Sequence, residues 1–271
     1  MLLHPHNLTT PALQGYLQSI VVPRPIAFAS TVDAHGRVNL SPFSFFNLFS
    51  ANPPILVFSP SRRVRNNTVK HTLENVREVP EVTINIVDFS MVEQASLASC
   101  DFPRDANEFI KAGFTEEPSE KVQPPRVKES PVAIECQVNQ VVPLGEEGGA
   151  GNLVICEVLL IRVHDRVLDE SGRIDPRKLD AVARLGQDFY TRAREGLFTV
   201  PKPNERLGVG IDQLPREIRD SEHFTLGDLA RLANIEVIPA GKLRVPIPHQ
   251  EVKSLLATGE IAEAWSKLME G

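Results

Sequence analysis

The sequence predicts a mainly β fold with helices inserted one at a time, an antiparallel barrel rather than a doubly wound parallel sheet. Three observations lead there. Glu81-Val82-Thr83-Ile84-Asn85-Ile86-Val87 alternates cleanly, with Val82, Ile84 and Ile86 on one face. Two long apolar runs, 132–144 and 153–164, flank a loop containing Gly145, Gly148, Gly149 and Gly151 and read as a hairpin with a flexible tip. Helical patterns interrupt the strands singly, without the regular strand–helix alternation of a parallel sheet.

Residues 16–32 read as an extended lead-in and a first strand, with Ile26, Phe28 and Ser30 on one face. Asp33-Ala34-His35-Gly36 is a turn by composition, and Val38 to Leu40 resumes a strand that Pro42 limits. Asn52-Pro53-Pro54 is a second turn, followed by a short buried strand from Ile55 to Ser59. Thr68 to Val79 reads as a helix: Leu73, Val76 and Val79 recur at three-residue spacing and Pro80 stops it. A further helix covers Met91 to Ala98, and the proline- and charge-rich stretch 101–131 reads as an excursion over the surface. Pro201-Lys202-Pro203-Asn204 marks a boundary between a domain at 16–195 and a small helical extension at 200–271. Short helices are expected there at 225–233, 251–257 and 261–268.

The 271 residues suffice for one sizeable core plus an appended piece. A net charge of −6 argues against general affinity for nucleic acid, which needs a basic face. Cys100, Cys136 and Cys156 make a poor disulfide framework; Cys136 and Cys156 read as buried structural thiols, and no pair has metal-ligand spacing. The N-terminus lacks the pattern of a signal peptide and no apolar run approaches a membrane span, so the expectation is a cytoplasmic protein. HExxH, GxSxG and P-loop motifs are absent, and Gly208-Val209-Gly210 lacks the third glycine of a dinucleotide fingerprint. Chemistry, if any, would therefore come from a cofactor.

Two segments suit one. Ser59-Pro60-Ser61-Arg62-Arg63-Val64-Arg65 leaves the end of a strand and reaches Lys70-His71-Thr72 at a helix start. Cations, hydroxyls and free helix N–H groups suit a phosphate. The alternative is a solvated basic loop; the density of cations in an acidic chain favours the anion site. In the second segment, Ser41, Ser44 and Asn47 could hydrogen-bond a polyol or a heteroaromatic edge among Phe43, Phe45, Phe46 and Phe49. A core strand with polar edge residues explains that composition equally well.

Arg24-Pro25-Ile26-Ala27, Ser30-Thr31-Val32-Asp33, the run from Gly36 to Asn47 and Pro53 to Ser59 resemble the N-terminal pattern of the flavin reductase-like family of FMN-binding split-barrel proteins. Lys70 to Val76, Asn107-Glu108-Phe109 and Arg184 to Tyr190 are similar to its helix start, middle and end, so the resemblance covers about 16–195. It implies a homodimeric six-stranded barrel with FMN near the subunit interface. It assigns Ser30, Thr31, Asn39, Ser41 and Ser44 to the flavin ring and ribityl chain, and Ser59, Arg63, Lys70 and Thr72 to the phosphate. The family usually has an aspartate, a good helix N-cap, where this chain has His71; His71 then either donates to the phosphate or marks a different helix start. The implied activity is hydride transfer from NADH or NADPH to flavin, with a small-molecule electron acceptor or a flavin-dependent monooxygenase as partner. Hydride transfer needs no obligatory side-chain acid, so no catalytic residue follows. Tyr190 reads either as a neighbour of the flavin or as a packing aromatic. The alternative is an FMN-binding protein without turnover, a carrier or a partner module. A split barrel holding haem would require an axial-ligand motif that the sequence does not display.

Overall fold

The computed structural model describes residues 1–200 and 207–270. The chain divides into two compact units, Met1–Leu197 and Phe198–Gly271; the expected boundary at Pro201–Asn204 lies outside the described residues. The first unit is built on one antiparallel sheet of seven strands. These are β1 (Ala27–Val32), β2 (Val38–Phe43), β3 (Phe46–Ala51), β4 (Pro54–Phe58), β5 (Glu81–Ile86), β8 (Val132–Pro143) and β9 (Asn152–Val163). Their order is β2-β1-β5-β8-β9-β4-β3. The two-residue strands β6 (Glu116–Glu117) and β7 (Arg126–Val127) pair with each other, as do β10 (Val182–Arg184) and β11 (Tyr190–Arg192). Helices α1 (Thr10–Ile20), α2 (His71–Glu78), α3 (Val92–Leu97), α4 (Glu108–Ala112) and α5 (Pro176–Leu179) lie between strands or precede them.

The alternation of β1 distributes its side chains between two apolar clusters. Ala27 and Ala29 join Phe43, Phe58, Leu73, Val76, Val82, Ile84, Cys136 and Cys156. Phe28 joins Ile26, Leu40, Met91, Ala95, Phe109 and Phe114. Phe28, Phe58 and Phe109 are wholly buried, and each such side chain contributes roughly 1.5–3 kcal/mol. Cys136 and Cys156 are buried free thiols, as expected, and burial pushes the Cys136 thiol up to about 12.

Five features differ from the sequence-based expectation. The 101–131 stretch, expected as an excursion over the surface, sends Phe109, Ala112, Phe114 and Val127 into the second cluster. Residues 10–20 form a helix where an extended lead-in is expected from 16. Pro11 in its first turn suits a helix start, but the helix buries none of its residues, so no packed stripe betrays it. The strand begun at Val38 continues through Pro42 because β2 is a sheet edge, hydrogen-bonded on one side only. The seventh strand, β3, is the other edge and pairs only with β4. Finally, the tip of the β8–β9 hairpin is docked rather than free: Arg62 N–H donates to Ala150 O at 2.8 Å and Gly149 N–H donates to Arg62 O at 2.9 Å. A Cβ on Gly148 would sit at a tight 3.1 Å from Arg63 O, and Gly149 adopts a left-handed φ of 95° that favours glycine.

The second unit contains α6 (Arg216–Arg219), α7 (Leu226–Leu232), α8 (His249–Thr258) and α9 (Ile261–Leu268). Thr225 and Asp228 form a reciprocal capping box at the start of α7. Ile218, Leu232, Leu256 and Leu268 pack around Trp265, whose Nε1–H donates to Leu232 O at 3.0 Å. This unit therefore has an apolar core of its own. Among the described residues no helix is long and apolar enough to cross a membrane.

The β1–β2 turn is fixed by Asp33. Its Oδ1 accepts from His35 N–H and Arg37 N–H, both at 2.9 Å, and its Oδ2 from Arg37 Nε at 2.6 Å. Burial opposes ionisation of Asp33, but the hydrogen bonds from Arg37 and His35 and the charge of Arg37 outweigh it and bring its pKa from 3.8 to about 2. A lowered folded-state pKa gives stability that is present above the unfolded value and lost as pH falls towards the folded one. Urea denaturation between pH 6 and pH 2 (~0.5 unit steps) should show a steeper acid loss for the native chain than for Asp33→Asn; identical slopes would contradict this.

Candidate functional site

A buried polar chain fixes α2 to the first hairpin. Asn75 Nδ2 donates to Thr31 Oγ1 at 3.1 Å, and Thr72 Oγ1 donates to Asn39 Oδ1 at 2.6 Å. Asn39 Nδ2 and Leu40 N–H donate to the two carboxylate oxygens of Glu108, at 2.8 and 3.0 Å. Glu108 is itself delivered by α4, capped by Asn107, whose Oδ1 accepts from Phe109 N–H at 2.9 Å. Burial raises the pKa of Glu108 against these hydrogen bonds. α2 has no side-chain cap at Lys70, so these tertiary bonds rather than a local cap hold its first turn in place. His71 is the first helical residue, and its Nδ1 lies 3.3 Å from Glu74 Oε2.

With α2 fixed, the loop between β4 and α2 gathers cations. Arg63 Nη2 and Nε donate to Asp101 Oδ1 at 2.9 and 3.2 Å, and Lys70 Nζ donates to the same oxygen at 3.1 Å. Arg65 pairs with Asp101 Oδ2. Burial opposes charge on Asp101, but hydrogen bonds from Arg63 and Lys70 outweigh it and hold its pKa at about 2. Arg63 also donates to Thr68 Oγ1 at 3.0 Å and to Val69 O, which holds its guanidinium in place. Arg62 instead staples the loop internally, through Asn67.

A cavity of about 350 Å³ adjoins this cluster. It is lined by Pro42 and Ser44 from the first hairpin, Ser96 and Ser99 from α3 and beyond, and Arg184 and Tyr190 from the β10–β11 hairpin. Ser99 joins the two places, since its carbonyl accepts from Lys70 Nζ at 3.3 Å. A second cavity, of about 570 Å³, shares Ser96, Arg184 and Tyr190 with the first. Arg184 stacks over Tyr190, 4.6 Å from the ring centroid. The β10–β11 hairpin is held to the body by Arg24. Its backbone exchanges N–H···O bonds with Arg184 at 2.9 and 2.8 Å. Its buried guanidinium donates to Val21 O, Gln18 O and Leu185 O, with Ser44 Oγ at 3.4 Å.

A sequence model of the flavin reductase like domain matches residues 19–179, more than half of the chain. The chain belongs to this family. An uncharacterized protein of Aquifex aeolicus is 39% identical over 174 residues, which cover 64% of this chain and 86% of that one. Another, BH2278 of Halalkalibacterium halodurans, is 36% identical over 75% of this chain and 97% of its own. Among solved structures, nitrilotriacetate monooxygenase component B from Bacillus cereus superposes with a TM-score of 0.67 at 30% identity, covering 71% of this chain and 95% of that one. The 2-nitrobenzoate 2-nitroreductase NbaA of Pseudomonas fluorescens gives 0.66 at 25% identity, with 78% and 100% covered. A split barrel domain protein from Shewanella frigidimarina gives 0.63 at 28% identity, covering 74% and 98%. The mainly β fold with inserted helices is thus the split barrel of the flavin reductase like domain.

Within this domain the residues singled out from sequence do not all come together. Arg63 and Lys70 converge on one anion, and Ser44 lines the adjoining cavity. Thr31, Asn39 and Thr72 belong to the buried chain beneath α2, and Ser41 lies on β2 between Asn39 and Phe43, opposite Ala29. Ser59 packs under the β8–β9 tip, its Oγ only 2.7 Å from where a Cβ on Gly151 would stand. Ser30 lies away from both the cluster and the cavity lining: it is wholly buried on the Phe28 face of β1, and its hydroxyl has no hydrogen-bond partner. Sequence reasoning missed Asp101, Arg24, Glu108 and the pair Ser96 and Ser99. Only Arg24 and Glu108 carried a signal, through the motifs they belong to.

Among the described residues no group of three His, Cys, Asp or Glu side chains is placed to hold a metal ion. The polar chain makes a direct prediction. Asn39→Ala leaves Thr72 and Glu108 each short of a buried partner, at roughly 1–3 kcal/mol for each stranded group. Urea denaturation should show a loss of about 2–6 kcal/mol; a loss below about 0.5 kcal/mol, the size of an ordinary surface substitution, would contradict the assignment.

Proposed function

We propose that the chain is an FMN-binding oxidoreductase of the flavin reductase type, with NADH or NADPH as electron donor. The observation that carries this reading is the anion already held by Arg63 and Lys70: a carboxylate at that point stands in for a phosphate. Cations and hydroxyl-bearing turns at the end of a strand are suited to such a group. A single compact cationic site fits a mononucleotide better than a dinucleotide. Membership of the flavin reductase like domain family, and the likeness to a monooxygenase component B and a nitroreductase, support the same direction.

When bound, FMN supplies the redox chemistry, accepting hydride from a reduced nicotinamide. The protein's own residues bind and orient. Arg63 and Lys70 hold the phosphate, with His71 and Thr72 at the helix start beside them and Ser59 below. Ser44, Ser96 and Ser99 offer hydroxyls to the polar edge of the ring, while Pro42 and Tyr190 offer apolar contact. Ser41, Thr31 and Asn39 keep the first hairpin and α2 in register beneath the site, and Ser30 remains in the core of that hairpin. Arg24 positions the β10–β11 hairpin, which closes one wall. The physiological acceptor is then a small molecule or a flavin-dependent monooxygenase.

The reading includes a homodimer. β3 is an edge strand that leaves Leu48 and Phe49 63% and 68% exposed, and an apolar edge of this kind is an aggregation hazard unless a partner covers it. Light scattering at micromolar concentration should return the mass of two chains; the mass of one chain would contradict it.

The deciding experiment for the activity is anaerobic. The FMN-loaded protein should bleach on addition of NADH or NADPH. A yellow protein indifferent to both would instead be a flavin carrier. For the phosphate site, Lys70→Ala and Arg63→Ala each remove a charge-assisted hydrogen bond worth roughly 1.5–3 kcal/mol. FMN binding should weaken about tenfold to a hundredfold, and riboflavin binding should change much less. Equal losses for the two flavins, or none for either, would show that the basic loop is only a solvated surface.

A further inference from the structure

Asp101 lies between α3 and α4, and its bonding differs from that of the turn carboxylates Asp33, Asp88, Asp169 and Asp175. Asp33, Asp88, Asp169 and Asp175 each accept backbone N–H groups of their own turn. Among the described residues, the Asp101 carboxylate accepts only from Arg63, Arg65 and Lys70, all 31 to 38 positions away in the chain. It shapes no turn and caps no helix. Its side chain is 36% exposed, so it can swing into water without unpacking a core.

We infer that Asp101 is an internal competitor for the phosphate, a residue that sets flavin affinity by occupying the anion position and giving it up when the phosphate binds. This rests on the FMN reading above. A phosphate monoester carries about −1.5 to −2 charges near neutral pH, against one for the carboxylate, so it wins the cations but must first displace their existing partner. The displacement lowers affinity without altering a single contact to the flavin ring. Riboflavin, which lacks the phosphate, leaves the Asp101 cluster intact and is not subject to the competition. The consequence is a flavin that exchanges, as a substrate or product does, instead of one held permanently.

The test titrates the full chain with FMN and with riboflavin at one ionic strength, for the native protein, Asp101→Asn and Lys70→Ala. Asp101→Asn should bind FMN about tenfold more tightly, a shift of about 1.4 kcal/mol, and riboflavin as the native chain does. Asp101→Ser repeats the comparison should the asparagine disturb the loop, and the melting temperature without ligand checks the fold of both variants. Saturating FMN should raise that temperature more in the Asp101 variants than in the native chain. If Asp101→Asn weakens FMN binding or leaves it unchanged while Lys70→Ala still weakens FMN selectively, Asp101 only orients the cations; the inference falls and the phosphate site stands. If the native chain binds both flavins alike and Lys70→Ala changes neither, the phosphate site falls and the inference with it.

Discussion

Arg63, Arg65 and Lys70 come together at the end of β4, and three cations in that space need an anion between them. The geometry around them follows from that need. The loop is closed internally by Arg62 on Asn67 and covered by the β8–β9 tip, which docks on the Arg62 backbone through Gly149 and Ala150. Lys70 is the residue immediately before α2, and α2 is held by Thr31, Asn39 and Glu108 rather than by a side-chain cap of its own. Asp101 supplies the negative charge within the chain.

The rest of the first unit builds the second half of the site beside this cluster. Ser99 contacts both the cation cluster and the cavity, so the two adjoin. Arg24 performs for the cavity wall what Asn39 performs for the cation loop. It is a buried guanidinium that spends its donors on backbone carbonyls of α1 and of the β10–β11 hairpin. Burial, the larger effect, and the nearby charge of Arg184 both lower its pKa, and the hydrogen bonds of its guanidinium go to backbone carbonyls and the Ser44 hydroxyl rather than to a carboxylate. A lysine there has one compact donor group and could not reach three carbonyls in different directions.

Much of this was legible in the amino-acid order. The alternation of 81–87, the two apolar runs at 132–144 and 153–164 around a glycine-rich loop and the stop at Pro80 are local signals, and the elements they announce are present. Arg63 and Lys70 were legible because cations crowded into an acidic chain call for an explanation. Asp101 was not: it lies more than thirty positions from its partners and nothing around it distinguishes it from the charged residues of the 101–131 stretch. Helix α1 escaped because its sides remain exposed, and β3 because its outward Leu48 and Phe49 break the in–out pattern of a half-buried strand. The serines of the first hairpin looked alike in sequence. Strand alternation puts Ser41 on the face opposite Ser30, which sits in the core beside Phe28, while Ser44 lies past the end of β2 and lines the cavity.

Phosphorus NMR of the bound flavin tests the central claim, that this loop holds a phosphate, most directly. Free FMN should titrate between its mono- and dianionic forms near a pH of about 6. A phosphate between Arg63 and Lys70 should remain dianionic, so its resonance should stay constant from about pH 8 to about pH 5 and should regain a titration in Lys70→Ala. A bound resonance that titrates as free FMN does would place the phosphate in solvent and contradict the account.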